Sequence, residues 1–390
     1  MNNEISRCPV CGCEIFHPLP DPSYKQSITT ASVIINKPLG KVQCHRCGLV
    51  IRKFDKFLAE TDFYETAYAY YNKPGAEQNQ KVRYESLAKW MSDGLDFTPV
   101  NILDVGCGRG WTIREMKNIY KDSKISGIEP TTKEVEIANS NGINVIGGKI
   151  EDIDISEKFD FIYSNNVMQH VNDPLAFLTA QKRILKDGGE IFLSLPNGNY
   201  PDIELLMGDQ NYSYNDCNLN LICDKAGFEI VKAGHNPDYK GLRNEMFVLL
   251  RKKTNDGFCG HCETDCEKLY YERCEYLLQW KKLNDYLAEE INRHKNKKVI
   301  NFGAGLFSYI LAAYCPDYWK KVDFCAIDGF EGKCLDKDVR KYDAGEMNGY
   351  TVVLGTNPEV QNKLKERFNA ENTTCVTWNN IIKTVDKEVV

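Results

Sequence analysis

The 390-residue sequence predicts an α/β protein, a parallel sheet covered by helices on both faces, with a second and smaller α/β unit after it. Three observations carry that prediction. From Val100 to Lys253 short apolar runs alternate with helical stretches, the pattern of strands joined by crossover helices. The alternation breaks at its end, where Phe228 to Ala233 and Glu245 to Arg251 follow each other with no helix between, as an antiparallel pair does. The last hundred residues then start again with an apolar strand, a glycine pair and a helix.

Taken in order, residues 1–56 form a zinc-binding module. Cys8-Pro9-Val10-Cys11 and Cys44-His45-Arg46-Cys47 are two C-x-x-C knuckles separated by 32 residues. Each knuckle points two thiolates at one ion, and two knuckles complete a tetrahedral zinc site with no position open for chemistry, so the metal is read as structural. Disulfides are the alternative, and Cys13 and His45 are spare ligands. Between the knuckles a hairpin is expected, with Ser32 to Ile35 and Lys41 to Gln43 extended.

Residues 57–96 read as a helical lid or linker. Tyr64, Tyr68, Tyr70 and Tyr71 either reach substrate or bury aromatic rims on an amphipathic helix, and Gln78 to Met91 forms a helix.

Residues 97–253 hold the stretch on which the chain turns. Asn101-Ile102-Leu103-Asp104-Val105-Gly106-Cys107-Gly108-Arg109-Gly110 is a strand running into three alternate glycines, and a helix from Trp111 to Tyr120 follows. Glycines are needed where a backbone turns with unusual dihedrals or where a ligand lies on the main chain. A dinucleotide site would show G-x-G-x-x-G. Here the spacing is G-x-G-x-G, and Asp104 beside it would repel a pyrophosphate but suits a cationic amino acid. The next strand, Lys124 to Ile128, ends in Glu129, 23 residues after Gly106, where an acid grips ribose hydroxyls. Adenosine with a cationic amino acid points to S-adenosylmethionine. Further strands are expected at Asn144 to Ile146, Phe159 to Ser164 and Glu190 to Leu195, and a helix at Asp216 to Lys225.

Residues 254–294 form a cysteine-containing helical linker. Cys259, Cys262, Cys266 and Cys274 could hold a second metal, but no second C-x-x-C completes the pattern, and Cys266 through Ile291 has helical spacing without Gly or Pro. Residues 295–390 form a second, Rossmann-like α/β domain: strand Lys298 to Phe302, the turn Gly303-Ala304-Gly305, a helix, strand Val322 to Ile327 ending in Asp328, and strand Val352 to Leu354. Ser308 stands where a dinucleotide site has its third glycine, which argues against NAD.

Lys and Arg total 49 against 55 Asp and Glu, a formal charge of -6. No basic field gathers a polyanion, so nucleic acid is disfavoured as a partner. With no signal-like start and no long apolar run, a soluble, cytoplasmic protein without membrane contact is expected.

Leu103 to Gly110 resembles the first motif of the class I S-adenosylmethionine-dependent methyltransferases. Gly127-Ile128-Glu129-Pro130 resembles the end of their second strand, Phe159 to Val171 their fourth strand and its loop, and Leu185 to Ile191 the entry to their fifth. The resemblance implies a Rossmann-like seven-stranded methyltransferase sheet. Asp104 and the backbone of Gly106, Cys107, Gly108 and Gly110 would hold the amino-acid end of the donor and Glu129 its ribose. Ile150 would flank the adenine, and Asn165 would complete the donor site. The order of the modules resembles the zinc-containing sugar methyltransferases that act on nucleotide-linked sugars, which implies a small carbohydrate-type acceptor methylated at oxygen or carbon. The C-methylating members carry Tyr-His-Glu-His where this chain has Met207-Gly208-Asp209-Gln210, which shifts the expectation toward oxygen. His170 is the candidate base, with a helix-capping role as its alternative; Asp209 and Tyr212, with Tyr214, are secondary candidates near the acceptor. An RNA or protein methyltransferase that reads its target with the zinc module, and a non-catalytic scaffold that binds the donor, are the competing functions.

Overall fold

The computed structural model describes residues 6–53, 76–235, 244–254, 264–294, 297–329, 331–371 and 373–382. The tyrosine-rich stretch at 63–71 and Cys259 and Cys262 lie outside them. By compactness the chain divides into two units: Met1–His17 with Val42–Asn199 and Gln210–Leu269, and Pro18–Lys41 with Tyr200–Asp209 and Tyr270–Val390.

In the first unit, helix α1 (Ala76–Gly94) precedes strand β1 (Asn101–Val105), helix α2 (Trp111–Ile119), β2 (Lys124–Glu129), α3 (Thr132–Ser140) and β3 (Val145–Gly147). There follow β4 (Phe159–Asn165), α4 (Pro174–Ile184), β5 (Leu185–Pro196), α5 (Asp216–Lys225), β6 (Phe228–His235) and β7 (Glu245–Lys252). The seven strands form one sheet in the order β6-β7-β5-β4-β1-β2-β3. Strands β1 to β5 run parallel, and β7 is antiparallel to both β5 and β6. This mixed, Rossmann-like seven-stranded sheet is the one expected, and α5 coincides with the sequence reading residue for residue.

Alternate residues explain why both faces are covered. Leu103, Val105, Ile162, Leu193 and Val248 enter one apolar core, and Ile102, Phe161, Tyr163, Phe192 and Phe247 enter the other. A strand whose successive side chains are all apolar is stable only between two layers. The second core is closed by Leu87, Ala88 and Met91 of α1 and by Ile113 and Met116 of α2. The first is shared with the cysteine knuckles, since Cys8, Val10, Cys44, Cys47, Leu49 and Ile51 belong to the same cluster as the sheet.

The hairpin expected between the knuckles is placed differently. Ile34–Ile35 pairs with Ser27–Ile28 rather than with the stretch at 41. The Ser32 amide donates to the Thr29 carbonyl at 2.9 Å, and Ser32 adopts a φ of 63°, so residues 29 to 32 close the chain into a tight turn. Lys41–Cys44 instead joins a four-stranded sheet with Phe16–Pro18, Val50–Arg52 and Tyr212–Ser213.

Helix α6 (Cys266–Arg293) leads to the C-terminal sheet, made of β8 (Val299–Phe302), β9 (Phe324–Ile327), β10 (Gly332–Cys334), β11 (Lys337–Lys341), β12 (Thr351–Leu354) and β13 (Thr374–Val376). Helices α7 (Leu306–Tyr314) and α8 (Pro358–Ala370) follow β8 and β12. The order is β10-β11-β9-β8-β12-β13, parallel except for the edge strand β10. Across the β8–α7 turn Asn301 Nδ2 donates to Ser308 Oγ at 2.9 Å, and Ser308 Oγ donates to the Gly355 carbonyl at 3.1 Å. Asp328, at the end of β9, is held by two Arg367 nitrogens at 2.7 and 2.9 Å.

Candidate active site and metal centre

The carboxyl ends of β1, β2 and β4 and the start of antiparallel β7 lie on one edge of the sheet, the edge where open α/β sheets bind ligands. At β1 the chain turns through Gly106, Gly108 and Gly110, whose φ values are 78°, 50° and 77°. All three are left-handed, a region that costs any residue with a Cβ. The Gly106 and Cys107 amides donate to the Ile128 carbonyl at 2.8 and 3.1 Å, which fixes the turn against β2. A Cβ on Gly110 would fall 2.5 Å from Ile143 Cδ1, whereas one on Gly108 would meet nothing within 4 Å. Gly110 is the N-cap of α2, and its amide donates to the Cys107 carbonyl at 2.9 Å.

Asp104 is 1% exposed, and its Oδ1 has no hydrogen-bond partner. Burial pushes its carboxyl well above the usual carboxylate range, opposed by the neighbouring Tyr163 hydroxyl and reinforced by the charge of Glu129. Glu129 accepts from the Gly108 amide at 2.9 Å and the Thr131 amide at 3.0 Å. Burial raises its carboxyl too, and those two amides pull it back. Asn165 Nδ2 donates to Thr112 Oγ1 on α2 at 3.2 Å. Burial also raises the Cys107 thiol, which leaves it inert. Ile150 is 2% exposed and sits in the core with Leu103, Val105 and Ile128, so its side chain is packing.

The remaining expected residues are placed as follows. His170 ends the turn after β4, its amide donating to the Val167 carbonyl at 2.8 Å and its carbonyl accepting from Asn211 Nδ2 at 2.9 Å. It does not cap α4, because Asp173 does, accepting from the Leu175 and Ala176 amides at 2.9 and 3.1 Å. Tyr212 is 3% exposed and donates its hydroxyl to the Asn172 carbonyl at 2.9 Å. Tyr214 is buried outright. Asp209 is 0% exposed, and both its oxygens accept from Thr30, through the amide at 2.9 Å and the hydroxyl.

Two residues that sequence reasoning missed stand at the same edge. Arg83 of α1 donates through Nη2 to both oxygens of Glu245 at 2.8 and 3.0 Å, and Glu245 Oε1 accepts from Asn166 Nδ2 at 3.1 Å. The available signal was an acid opening an otherwise apolar strand, since a buried carboxylate needs a partner.

Beside the glycine turn two buried acceptors, Asp104 Oδ1 and Asn165 Oδ1, lack a hydrogen-bond partner, as do the hydroxyls of Tyr163, Ser164 and Ser194 on β4 and β5. Orphaned acceptors next to a turn that opens at Gly108 fit a ligand rich in donors and positive charge. S-adenosylmethionine meets that description. Asp104 and the glycine turn would hold its amino-acid end and Glu129 its ribose hydroxyls, and the group would bring a methyl on a positively charged sulfur.

At the knuckles the four sulfurs of Cys8, Cys11, Cys44 and Cys47 lie within 4.8 Å of one another, with Cys8 to Cys47 at 3.7 Å and Cys11 to Cys44 at 3.5 Å. A tetrahedron of Zn–S bonds of about 2.3 Å has sulfur edges of about 3.8 Å, so the cluster has the size of a zinc site. Gly12 and Gly48, at φ 72° and 69°, close the two knuckles. The Cys47 carbonyl accepts from Asn215 Nδ2 at 3.2 Å and Asn218 Nδ2 at 3.1 Å, while the same two residues form the capping box of α5.

Residues 76–233 match the family model described as methyltransferase domain. The chain is 29% identical over 120 residues to the malonyl-[acyl-carrier protein] O-methyltransferase of Hahella chejuensis, covering 30% of this chain and 42% of that protein. It is 31% identical over 116 residues to the ubiquinone biosynthesis O-methyltransferase of Cereibacter sphaeroides, 28% of this chain and 46% of that one. It is also 31% identical over 125 residues to the tRNA U34 carboxymethyltransferase of Alteromonas mediterranea, 29% and 37% respectively. The chain thus spans less than half the length of each of these relatives. Superposed on the plantazolicin methyltransferase BpumL in complex with SAH, it gives a TM-score of 0.41 at 16% identity, covering 51% of this chain and 95% of that one.

Proposed function

We propose, from a chain whose residues 76–233 are an S-adenosylmethionine-dependent methyltransferase domain of class I, that the whole protein methylates a small carbohydrate-type acceptor, a nucleotide-linked sugar, in glycan-precursor synthesis. The observation that carries the donor part is the pair of unpartnered buried oxygens Asp104 Oδ1 and Asn165 Oδ1 beside the glycine turn, with Glu129 oriented by two amides. The acceptor part rests on the resemblance of the module order to the sugar methyltransferases. The acidic balance of the chain supports a small acceptor over RNA, and among the described residues no helix is long and apolar enough to cross a membrane.

In this reading the protein aligns a sugar hydroxyl with the sulfonium methyl for an in-line displacement. The oxygen–carbon bond forms as the carbon–sulfur bond breaks, and the hydroxyl proton passes to His170, an imidazole being the side chain most often used as a general base. The four thiolates bind zinc, which stabilises the module and takes no part in transfer. Incubation with S-adenosylmethionine and a panel of nucleotide sugars, read as a gain of one methyl mass on the sugar, tests the proposal. Donor binding without transfer to any panel member refutes the carbohydrate acceptor.

A further inference from the structure

Asn166 is the residue at this edge whose amide has a forced orientation. A carboxylate accepts and never donates, so the contact with Glu245 Oε1 at 3.1 Å must come from Asn166 Nδ2. Glu245 cannot drift, since its side chain is 5% exposed and both its oxygens are taken by Arg83, itself 11% exposed. Arg83 also lies over the Tyr84 ring, 5.3 Å from its centroid, and Tyr84 meets Trp111 edge-on at 5.7 Å. The backbone is fixed as well. Asn166 adopts a φ of 54°, and its amide donates to the Ser194 carbonyl of β5 at 2.9 Å. With Nδ2 committed, Oδ1 is left displayed as an acceptor, buried and without a partner.

Its place on the edge says which ligand it faces. The glycine turn follows β1 and the ribose-binding acid ends β2, so the donor occupies that side of β4. Asn166 is bound to β5 and to the start of β7, on the opposite side of β4 in the sheet order. We infer that Asn166 Oδ1 is a specificity-determining acceptor for an O–H or N–H carried by the methyl acceptor beside its nucleophile, and that Glu245 and Arg83 are the positioning residues that hold it. The assignment rests on the methyltransferase reading and sharpens it. The preferred acceptor carries a second hydrogen-bond donor next to the methylated group, as a vicinal diol or an amino alcohol does. A site built to bond such a group rejects the analogue that lacks it, because Oδ1 is then buried unpaired.

The test uses the full chain, S-adenosylmethionine, and nucleoside-diphosphate hexoses with their monodeoxy and amino analogues. The wild type is expected to favour one hydroxylated sugar over its deoxy counterpart by about 10- to 100-fold in kcat/KM. Asn166→Ala should erase that preference by losing activity on the hydroxylated sugar alone. Glu245→Gln, whose amide oxygen can still accept from Asn166, should retain more of the preference than Glu245→Ala, an ordering that loss of folding alone would not produce. Donor affinity by calorimetry should stay within about twofold in Asn166→Ala, since its lost contact is with the acceptor. An unchanged hydroxyl-to-deoxy ratio in Asn166→Ala overturns the assignment. So does a loss of affinity for S-adenosylmethionine that spares 5′-methylthioadenosine, which would move the contact to the donor's ammonium. A wild-type protein that binds no donor at all overturns the methyltransferase reading itself, a result told apart at the first titration.

Discussion

Val167 packs directly onto the Cα of Gly106, and a Cβ built on that glycine would fall 2.3 Å from Val167 Cγ2. The turn after β1 and the loop after β4 are thereby in contact, and the left-handed φ of 78° adds to the demand for glycine. Gly106→Ala is expected to lower stability by about 2 to 4 kcal/mol and weaken donor binding at least tenfold. Thermal melts and calorimetry with S-adenosylmethionine check both. Adding Val167→Ala should recover part of the stability, and no recovery would place the strain elsewhere.

The shared core of knuckles and sheet leads to a prediction about metal removal. Cys44 and Cys47 are 0% exposed in the cluster that also contains Leu103 and Ile162. The protein should carry one zinc per chain by elemental analysis. Chelation or Cys44→Ser should lower the melting temperature of the methyltransferase domain and not merely loosen the N-terminus. A donor-binding domain that melts at the same temperature with and without metal would refute this coupling.

Burial raises Asp104 and Glu129 above the usual carboxylate range. Between the ordinary pKa, about 4, and the raised folded values, the folded chain holds more protons than the unfolded one, so stability of the ligand-free protein should fall as pH rises through that window. A cationic donor favours the ionised carboxylates, and its affinity should rise with pH over the same range. Melts across pH with and without S-adenosylmethionine should therefore diverge as pH increases. Asp104→Asn should flatten its share of both trends.

His170, Tyr212 and Asp209 should separate by kind of effect. Tyr212→Phe removes one hydrogen bond, to the Asn172 carbonyl, and should cost about 1 kcal/mol of stability with transfer retained. Asp209→Ala deprives Thr30 of both acceptor contacts and should cost about 1 to 3 kcal/mol, again without a direct effect on the chemical step. His170→Gln should leave folding intact and lower kcat by about 10²- to 10⁴-fold, with donor affinity unchanged. Stability from melts set beside steady-state kinetics distinguishes the three; a fully active His170→Gln would remove it as the base.

What the sequence disclosed follows from the range over which its signals act. The strand-glycine-helix turn, the acid ending β2 and the knuckles are local patterns, and they led to Asp104, Gly106, Glu129 and the four cysteines. The antiparallel end of the sheet was legible because no helical stretch separates Ala233 from Glu245. The hairpin at 27–35 was misplaced because the turn residues Thr29 and Ser32 outweigh the extended propensity of the later stretch. Asp209 and Tyr212 looked like substrate-facing polar groups in the insertion before α5, yet their partners, Thr30 and the Asn172 carbonyl, are 179 and 40 residues away in sequence. The pairing of Glu245 with Arg83 was hidden for the same reason, the two being 162 residues apart.

The hydroxyl of Ser308 has a wider consequence for the C-terminal sheet. By accepting from Asn301 and donating to the Gly355 carbonyl it ties β8 to the residue that follows β12. Asn301 also donates to the Gly303 carbonyl and accepts from the Tyr318 hydroxyl, each at 2.8 Å, so reshaping this turn to admit a dinucleotide would take replacement of a buried network rather than of Ser308 alone.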